Sequence, residues 1–320
     1  MKKSTKLSII AAVILIIIGA AIFIGTMTDL GWNFRELTTL QFKTNTHKDI
    51  TPITDITIET GTADITFALN TDNSTKVVCY ELEKAYHEVS FESGNLRIRE
   101  LDTRKWYDHI GINFGSPKIT IYLPKENFGA LNIHCTTGDI LIPENFEFES
   151  MNITATTGDI ETDANVTGPI KIKTDTGDIC VQNAAPRTLD LTASTGKITV
   201  SDVVCYSDIH LNVSTGKINL YNVRCSNLYS AGSTGSFTAN NLLSSKQLVV
   251  NRNTGNVTLT DCDATNINIQ TTTGDITGSL LTGKIFSAEV GTGKVSLPDN
   301  FPGGTCVLVT STGDIKFTAG

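Results

Sequence analysis

The stretch ITATTGDIETDANVTGPIKIKTDTGDICV, residues 153–181, carries nearly the same phrase twice: TTGDI around Gly158 and DTGDI around Gly177, 19 residues later. Working outward, the dipeptide Thr-Gly recurs with its glycine at Gly138, Gly158, Gly177, Gly196, Gly216, Gly235, Gly255, Gly274, Gly293 and Gly313, always 19 or 20 residues apart. Two residues after every one of these glycines stands an apolar residue, from Ile140 to Ile315. Seven before each stands another, from Leu131 to Cys306, and five before each the residue is apolar in every copy except at Ser230. Six after it the residue is Asn or Asp in six copies: Asn183, Asp202, Asn222, Asn241, Asp261 and Asp299.

Before each glycine, apolar and polar residues alternate in period two, as a strand with one buried face requires. After it the phase slips by one residue. A sharp corner explains the slip, because glycine accepts positive φ without steric cost, and the Asn or Asp further on marks a second turn. Each copy therefore reads as strand, glycine corner, strand, turn and short return. One copy cannot bury its apolar face alone, whereas stacked copies bury a continuous column. The expected fold is all-β: a single-stack parallel β-solenoid of about ten rungs over residues 131–320, about 48 Å long at about 4.8 Å per rung. A β-propeller blade needs four strands and about 40 residues, so this repeat is too short for one. The left-handed hexapeptide pattern is missing, which points to a right-handed β-helix.

Residues 49–130 are less regular. ITIETGTADITFAL (56–69) reads as a divergent rung, while KVVCYELE, EVSFESGNLRIRE and KITIYLP read as strands with hairpin-like separators, together an N-terminal β cap. Residues 9–27 hold no charge, and a helix of that length just crosses a hydrocarbon core of about 30 Å. Lys2, Lys3 and Lys6 precede the span, so the positive-inside bias places residues 1–8 in the cytoplasm and the body outside, with an uncleaved anchor favoured over a cleaved signal. Residues 28–48 then form a short polar stalk, with Trp32 and Phe34 near the outer interface.

The chain carries a net charge of −8, and setting aside the three lysines of the N-terminus leaves −11 on the exported part. That charge argues against nucleic acid as a partner and against bulk attraction to anionic wall polymers. Seven cysteines, an odd number scattered over a large body, do not make a disulfide framework. Cys205 and Cys225, each nine residues after its glycine, are expected to stack in adjacent rungs as reduced core thiols.

The leading apolar span, the approach ITIYLPKENFGALNIHCTTGDI and the serial TTGDI and STGKI copies resemble the bacterial putative-adhesin family of membrane-anchored β-strand-repeat proteins. The resemblance covers roughly residues 49–320. It implies a right-handed β-helix at the cell envelope and brings no catalytic residues with it.

Asp175-Thr176-Gly177 is the triplet with which an aspartic protease presents a carboxylate. Here it is one copy of the repeat, and its Asp is replaced by Thr, Ser, Asn or Gly in other copies. No partner carboxylate is in sight to share a proton. The corner pairs Thr137-Gly138, Thr157-Gly158, Thr176-Gly177, Thr195-Gly196 and Thr215-Gly216 read as structural, each Thr sharing the inward phase with a hydroxyl free to bond corner backbone. The residue after each glycine points outward. Asp139, Asp159 and Asp178 are thus three like charges at rung spacing, screened by solvent or bridged by a hard cation such as Ca²⁺. In the same column, Asp178 beside Lys197, Asp275 beside Lys294 and Lys294 beside Asp314 are attractive neighbours.

The five histidines are dispersed without a His-x-x-x-His or Cys-x-x-Cys pair, so neither a zinc site nor any other cofactor is expected. Polysaccharide lyases and hydrolases on β-helices need clustered charges of one kind on one face, and this column mixes signs. Trp106, Tyr107, His109 and Phe114, in the least repetitive stretch, either contact a partner or plug the open top of the coil. The reading that results is a non-enzymatic, membrane-anchored module for adhesion, scaffolding or sensing outside a bacterial cell, its partner an envelope protein or glycan. A self-assembling structural element and a carbohydrate-active enzyme are the alternatives. The C-terminal rung, ending the chain uncapped, is expected to leave an open edge for a weak homodimer.

Overall fold

Each of the ten corner glycines has φ between 127° and 150°, a region that L side chains rarely adopt. The corner is also crowded. A Cβ at Gly196 would drive into the carbonyl oxygen of Gly177, one rung away, and the other nine corners are closed to a Cβ in the same way. The structure, a computed structural model, describes residues 3–33, 41–48, 53–71, 74–109 and 115–319. Its all-β body is a parallel solenoid of about ten turns, following one helix, α1 (Lys3–Asp29). The segment Ser8–Asp29 of α1 is long and apolar enough to cross a membrane.

Rungs stack in register. Leu131 faces Met151, which faces Ile170, then Leu189 and Ile209, and past the corner Ile140, Ile160, Ile179, Ile198 and Ile218 make a second column. A third column on the return side holds Val203, Val223, Leu242 and Cys262. All are buried, and each such side chain contributes about 1.5–3 kcal/mol. The expected second turn is present at five of its six positions: Asn183, Asp202, Asn222, Asn241 and Asp261 adopt left-handed φ of 52–55°, whereas Asp299, in the outermost rung, does not. Their side chains bond up the stack, Asn222 to Asp202 at 2.9 Å and Asn241 to Asn222 at 3.0 Å. Cys205 and Cys225 are buried free thiols, and burial pushes Cys225 up to about 12.

Layer order departs from chain order at both ends. At the N-terminal end, β1 (Phe42–Lys48), β2 (Asp55–Thr62), β3 (Asp64–Leu69), β4 (Lys76–Leu82), β5 (Ala85–Glu92), β6 (Asn95–Asp102) and β7 (Lys118–Leu123) precede the regular rungs. The rung β2–β3 lies between the first regular rung and an outermost rung made by β6 and β7, parallel to both. Antiparallel strands then extend this end: β5 on β6, β4 on β7, and β1 on β4. The polar stalk expected over 28–48 is therefore shorter, since Phe42–Lys48 joins the cap sheet. Phe34 lies outside the described residues.

At the other end the chain skips a layer. Strand Asn266 to Thr273 pairs with Thr305–Thr312, not with Ile285–Thr292, which lies beyond it against the far edge of Thr305–Thr312. The ladder past the corner repeats this order, Ile276 facing Ile315 and Ile315 facing Val295. The last rung of the chain is thus interior. It cannot supply the open edge expected for a homodimer; the exposed edge belongs to residues 285–296, where Ile285 and Val295 are 52% and 47% exposed. Asp275 accordingly stands beside Asp314 rather than Lys294, while Lys294 does neighbour Asp314, its backbone N–H donating to Asp314 Oδ1 at 2.8 Å.

The crossing between layers is held by Lys284. Its side chain is buried, with Nζ 2.7 Å from Asp263 Oδ1, 2.5 Å from Thr282 Oγ1 and 3.0 Å from the Gly303 carbonyl. These oxygens come from the rung being left, the crossing segment and the returning segment, so one cation pins all three.

Candidate functional site

The corner columns were the first candidates. All ten threonines before the corner glycines are exposed, which corrects the inward phase expected of them: the chain has begun to turn before it reaches the glycine. The inward hydroxyls that cap corner carbonyls belong instead to the residue three before the glycine. Thr174 donates to the Gly158 carbonyl at 3.4 Å, Thr271 to Gly255 at 3.2 Å and Thr310 to Gly274 at 3.0 Å. Asp175 of the protease-like triplet is exposed, its nearest charge Lys173 at 3.9 Å.

The acidic column has a local cause. One carboxylate oxygen of each Asp accepts the backbone N–H of the next rung: Asp139 from Asp159 at 2.9 Å, Asp159 from Asp178 at 2.7 Å, and Asp178 from Lys197 at 2.7 Å. The corner leaves that N–H pointing outward, and Asp is long enough to cap it along the stack. Asp178 also pairs with the Lys197 ammonium at 3.1 Å.

Ser230, the lone polar residue five before a corner, has a partner that explains it. Arg252 occupies the interior one rung away and donates to Ser230 Oγ at 2.9 Å, in space left open because residue 232 is glycine. Burial pushes this guanidinium down to about 10.

The cap brings together groups that are scattered in the chain. Trp106 and Tyr107 lie on a single 3-10 turn, Trp106–His109, that follows β6. They are 76% and 49% exposed, their rings edge to face at 5.8 Å, so they do not plug the coil. Apolar residues of β4, β6 and β7 such as Val77, Ile98 and Ile121 close that end instead. Ion pairs Lys84–Asp108 at 2.6 Å and Arg104–Asp102 at 2.6 Å hold the turn, with Lys105 Nζ 5.9 Å from the Tyr107 ring centroid. His109 is in this turn, and Phe114 lies outside the described residues.

Beneath this surface is a buried polar cluster. His87 Nδ1 on β5 is 2.8 Å from Glu81 Oε2 on β4, and the His87 backbone N–H donates to the same oxygen at 2.6 Å. The Asn45 amide on β1 donates to the other Glu81 oxygen. His87 Nε2 lies 2.9 Å from Thr60 Oγ1 on β2, which donates to Glu100 Oε2 on β6 at 3.2 Å. That Glu100 oxygen also accepts from the N–H groups of Gly61 and Thr62. Burial alone would raise the Glu81 carboxyl, but hydrogen bonds from His87 and Asn45 outweigh it and hold the group below the usual carboxylate range. Cys79, one step along the same face of β4, is pushed up to about 12 by burial and by the Glu81 charge.

Among the described residues, Cys79, Glu81 and His87 are the one group of three potential metal ligands whose ligand atoms converge. Asp139, Asp159 and Asp178 do not converge in this way. Reading the sequence for paired histidines or cysteines missed the trio, because its spacing, Cys-x-Glu-x₅-His, follows from a two-residue hairpin between β4 and β5 and not from a helix or zinc-finger loop. The available signal was Cys and Glu two apart on one strand with a His just past the next turn.

Residues 53–222 and 187–319 match the model of the family described as Toastrack DUF4097. No curated protein matches the chain. Among solved structures, a "putative lipid binding protein" from Parabacteroides distasonis is 16% identical, with 88% of this chain and 98% of that one covered and a TM-score of 0.49. A "putative adhesin" from the same organism is 13% identical over 88% and 98% of the two chains, with a TM-score of 0.45. A "putative adhesin" from Bacteroides fragilis is 15% identical over 87% and 97%, with a TM-score of 0.40.

Proposed function

The chain belongs to the Toastrack DUF4097 family, and from that premise we propose that it is a non-enzymatic, membrane-anchored binding module, displayed outside the cell on a single N-terminal span and engaging an envelope protein or glycan through its N-terminal cap. The observation that carries this reading is the Trp106–Tyr107 pair, exposed yet held on a short turn by two ion pairs. Ordered, exposed aromatics beside cations are what a contact surface presents, because little side-chain freedom is left to lose on binding. Among the described residues, the outward columns elsewhere repeat one motif and mix acids with lysines. Lys2, Lys3 and Lys6 support a cytoplasmic N-terminus.

The test is a pull-down from envelope extracts with the full chain in detergent. The double variant Trp106→Ala, Tyr107→Ala is expected to lose at least tenfold in retention of the captured partner with its circular dichroism unchanged. Equal capture by both chains would remove the cap from the reading. Release of sugars from envelope glycans by the wild-type chain would sink the non-enzymatic part of it.

One observation favours self-assembly as a second reading: the bare edge 285–296, with Ile285 and Val295 exposed, offers unpaired backbone groups to another copy. Sedimentation of the wild-type chain against Val295→Lys separates the two readings.

A further inference from the structure

We propose that Cys79 Sγ, a Glu81 carboxylate oxygen and His87 Nδ1 form a binding site for a borderline-soft divalent cation, with Zn²⁺ the ion best suited to it. The three residues are fully buried and their ligand atoms lie within 4.8 Å of one another. Zinc takes such a mixed sulfur, nitrogen and oxygen set at about 2.0–2.3 Å, which puts ligand atoms about 3.3–3.6 Å apart in a tetrahedron. The 2.8 Å gap between Glu81 and His87 has only to open by about half an ångström, and the thiol to swing in. A thiolate ligand selects against Ca²⁺ and Mg²⁺, which prefer oxygen alone.

The surroundings also suit a bound metal. A ligating histidine normally donates its other ring N–H outward, and here Nε2 faces the Thr60 hydroxyl at 2.9 Å, which in turn donates to the Glu100 carboxylate. The second oxygen of Glu81 is already oriented by the Asn45 amide. With an ion on Nδ1, the proton that nitrogen shares with Glu81 moves to Nε2, whose N–H donates to Thr60 Oγ1 while Thr60 donates to Glu100, and the Cys79 thiol proton leaves to solvent as the metal–sulfur bond forms. Every polar atom of the cluster keeps a partner. His87, alone of the three ligands, also lines a cavity of about 170 Å³ with Thr62, Glu100 and Arg104, the side from which the imidazole is approached. Because the ligands sit on β4 and β5 while their supports come from β1, β2 and β6, the ion would brace the antiparallel cap against the first rungs. This inference stands independently of the adhesion reading.

The test uses the full chain in detergent, stripped with a chelator and titrated with Zn²⁺ alone. One ion per chain is expected, with a rise in melting temperature. Thr60→Val keeps all three ligands but breaks the outer hydrogen bond, and should weaken binding about tenfold; Cys79→Ser and His87→Gln should weaken it further. Co²⁺ reads the sulfur ligand without any variant, since a cobalt–thiolate bond gives a charge-transfer absorption in the near ultraviolet. That absorption should be retained in Cys135→Ser, a buried cysteine outside the cluster. No stoichiometric Zn²⁺ binding, or bound Co²⁺ without the thiolate absorption, would overturn the proposal. So would a Zn²⁺ affinity unchanged in His87→Gln.

Discussion

At the N-terminal end the chain enters in the second layer with β2 and β3, leaves to build the outermost rung from β6 and β7, and returns in the third layer. At the C-terminal end it skips a layer, builds the outermost rung over 285–296 and turns back to fill the gap with 305–319. Both ends therefore place their terminal rung between two ladders. In both, the outermost rung is one that the chain enters and leaves, so it is covalently held on both sides. The ends differ in how they finish. The N-terminal one is covered by antiparallel strands and held by a carboxylate–histidine cluster, the C-terminal one is bare and pinned by the single cation Lys284. One end is built to be closed and the other to remain an edge.

The largest test of this contrast is deletion of residues 305–320. In a stack that followed chain order this would remove one outer rung and little else. Here it removes an interior rung, so residues 285–296 lose the ladder that, among the described residues, holds them and 266–280 lose one of two. Hydrogen exchange is expected to show protection lost across 281–296 and weakened over 266–280, with 131–250 unchanged, because rungs feel only their neighbours. Retained protection over 285–296 would mean that the two layer orders are close in free energy.

Next in size is Lys284→Met. Removing buried Lys284 leaves the part-buried Asp263 without its cation and costs up to about 3 kcal/mol, less than for a fully buried pair. The loss should appear as faster exchange confined to the C-terminal end. Adding Asp263→Leu replaces the pair by apolar volume and should recover most of it. A double variant as unstable as the single one would show that the pin works through its contacts with Thr282 and Gly303 instead.

Acid should act first on the opposite end. The Glu81 carboxyl is held below its ordinary value in the folded state, so the stabilisation it gives is complete above that ordinary range and is lost as pH falls through the folded value. Protection in β4 and β5 is therefore expected to fall between pH 5 and the acid limit of folding, by less than the lysine effect, and Glu81→Gln should flatten the dependence. An identical pH profile in Glu81→Gln would detach the cluster from the stability of the cap.

The middle of the molecule was far more legible in the sequence than its ends. The rungs, corner glycines, buried columns and Asn/Asp turns all follow from local rules, φ at Gly and Asx and the period of two in a strand, so ten copies of one motif overdetermine them. Layer order does not follow from those rules, because Gly274, Gly293 and Gly313 head rungs with the same apolar phase, and any of them can stack on any other. The burial of Lys284 among oxygens from three segments accompanies the observed order, a long-range fact with no periodic signature. The Cys79–Glu81–His87 cluster was hidden for the same reason: it is assembled by a hairpin and supported from three other strands. The threonines before the corners misled in the other direction, since strict recurrence suggested burial where the turn had already rotated them outward.

The smallest expected effect comes from Ala63, a corner position without a glycine. Ala63 aligns with the corner glycines through the pairing of Thr62 with Thr137 and of Ile65 with Ile140. Gly138 and the corners after it take positive φ and press against the carbonyl of the preceding rung, whereas φ at Ala63 is not positive. Ala63 stands at the head of that column, where its own carbonyl is the one Gly138 approaches, and its methyl group is buried. The corner column thus begins with a residue that fixes the backbone and fills space, and continues with residues that allow a contact alanine would block. Ala63→Gly is expected to cost about 1 kcal/mol, from greater freedom in the unfolded chain and the loss of one buried methyl, read as a small shift in the urea midpoint at constant slope. A gain in stability would show that Ala63 is strained at a glycine-type corner, and that the N-terminal end differs from the middle less than its layer order indicates.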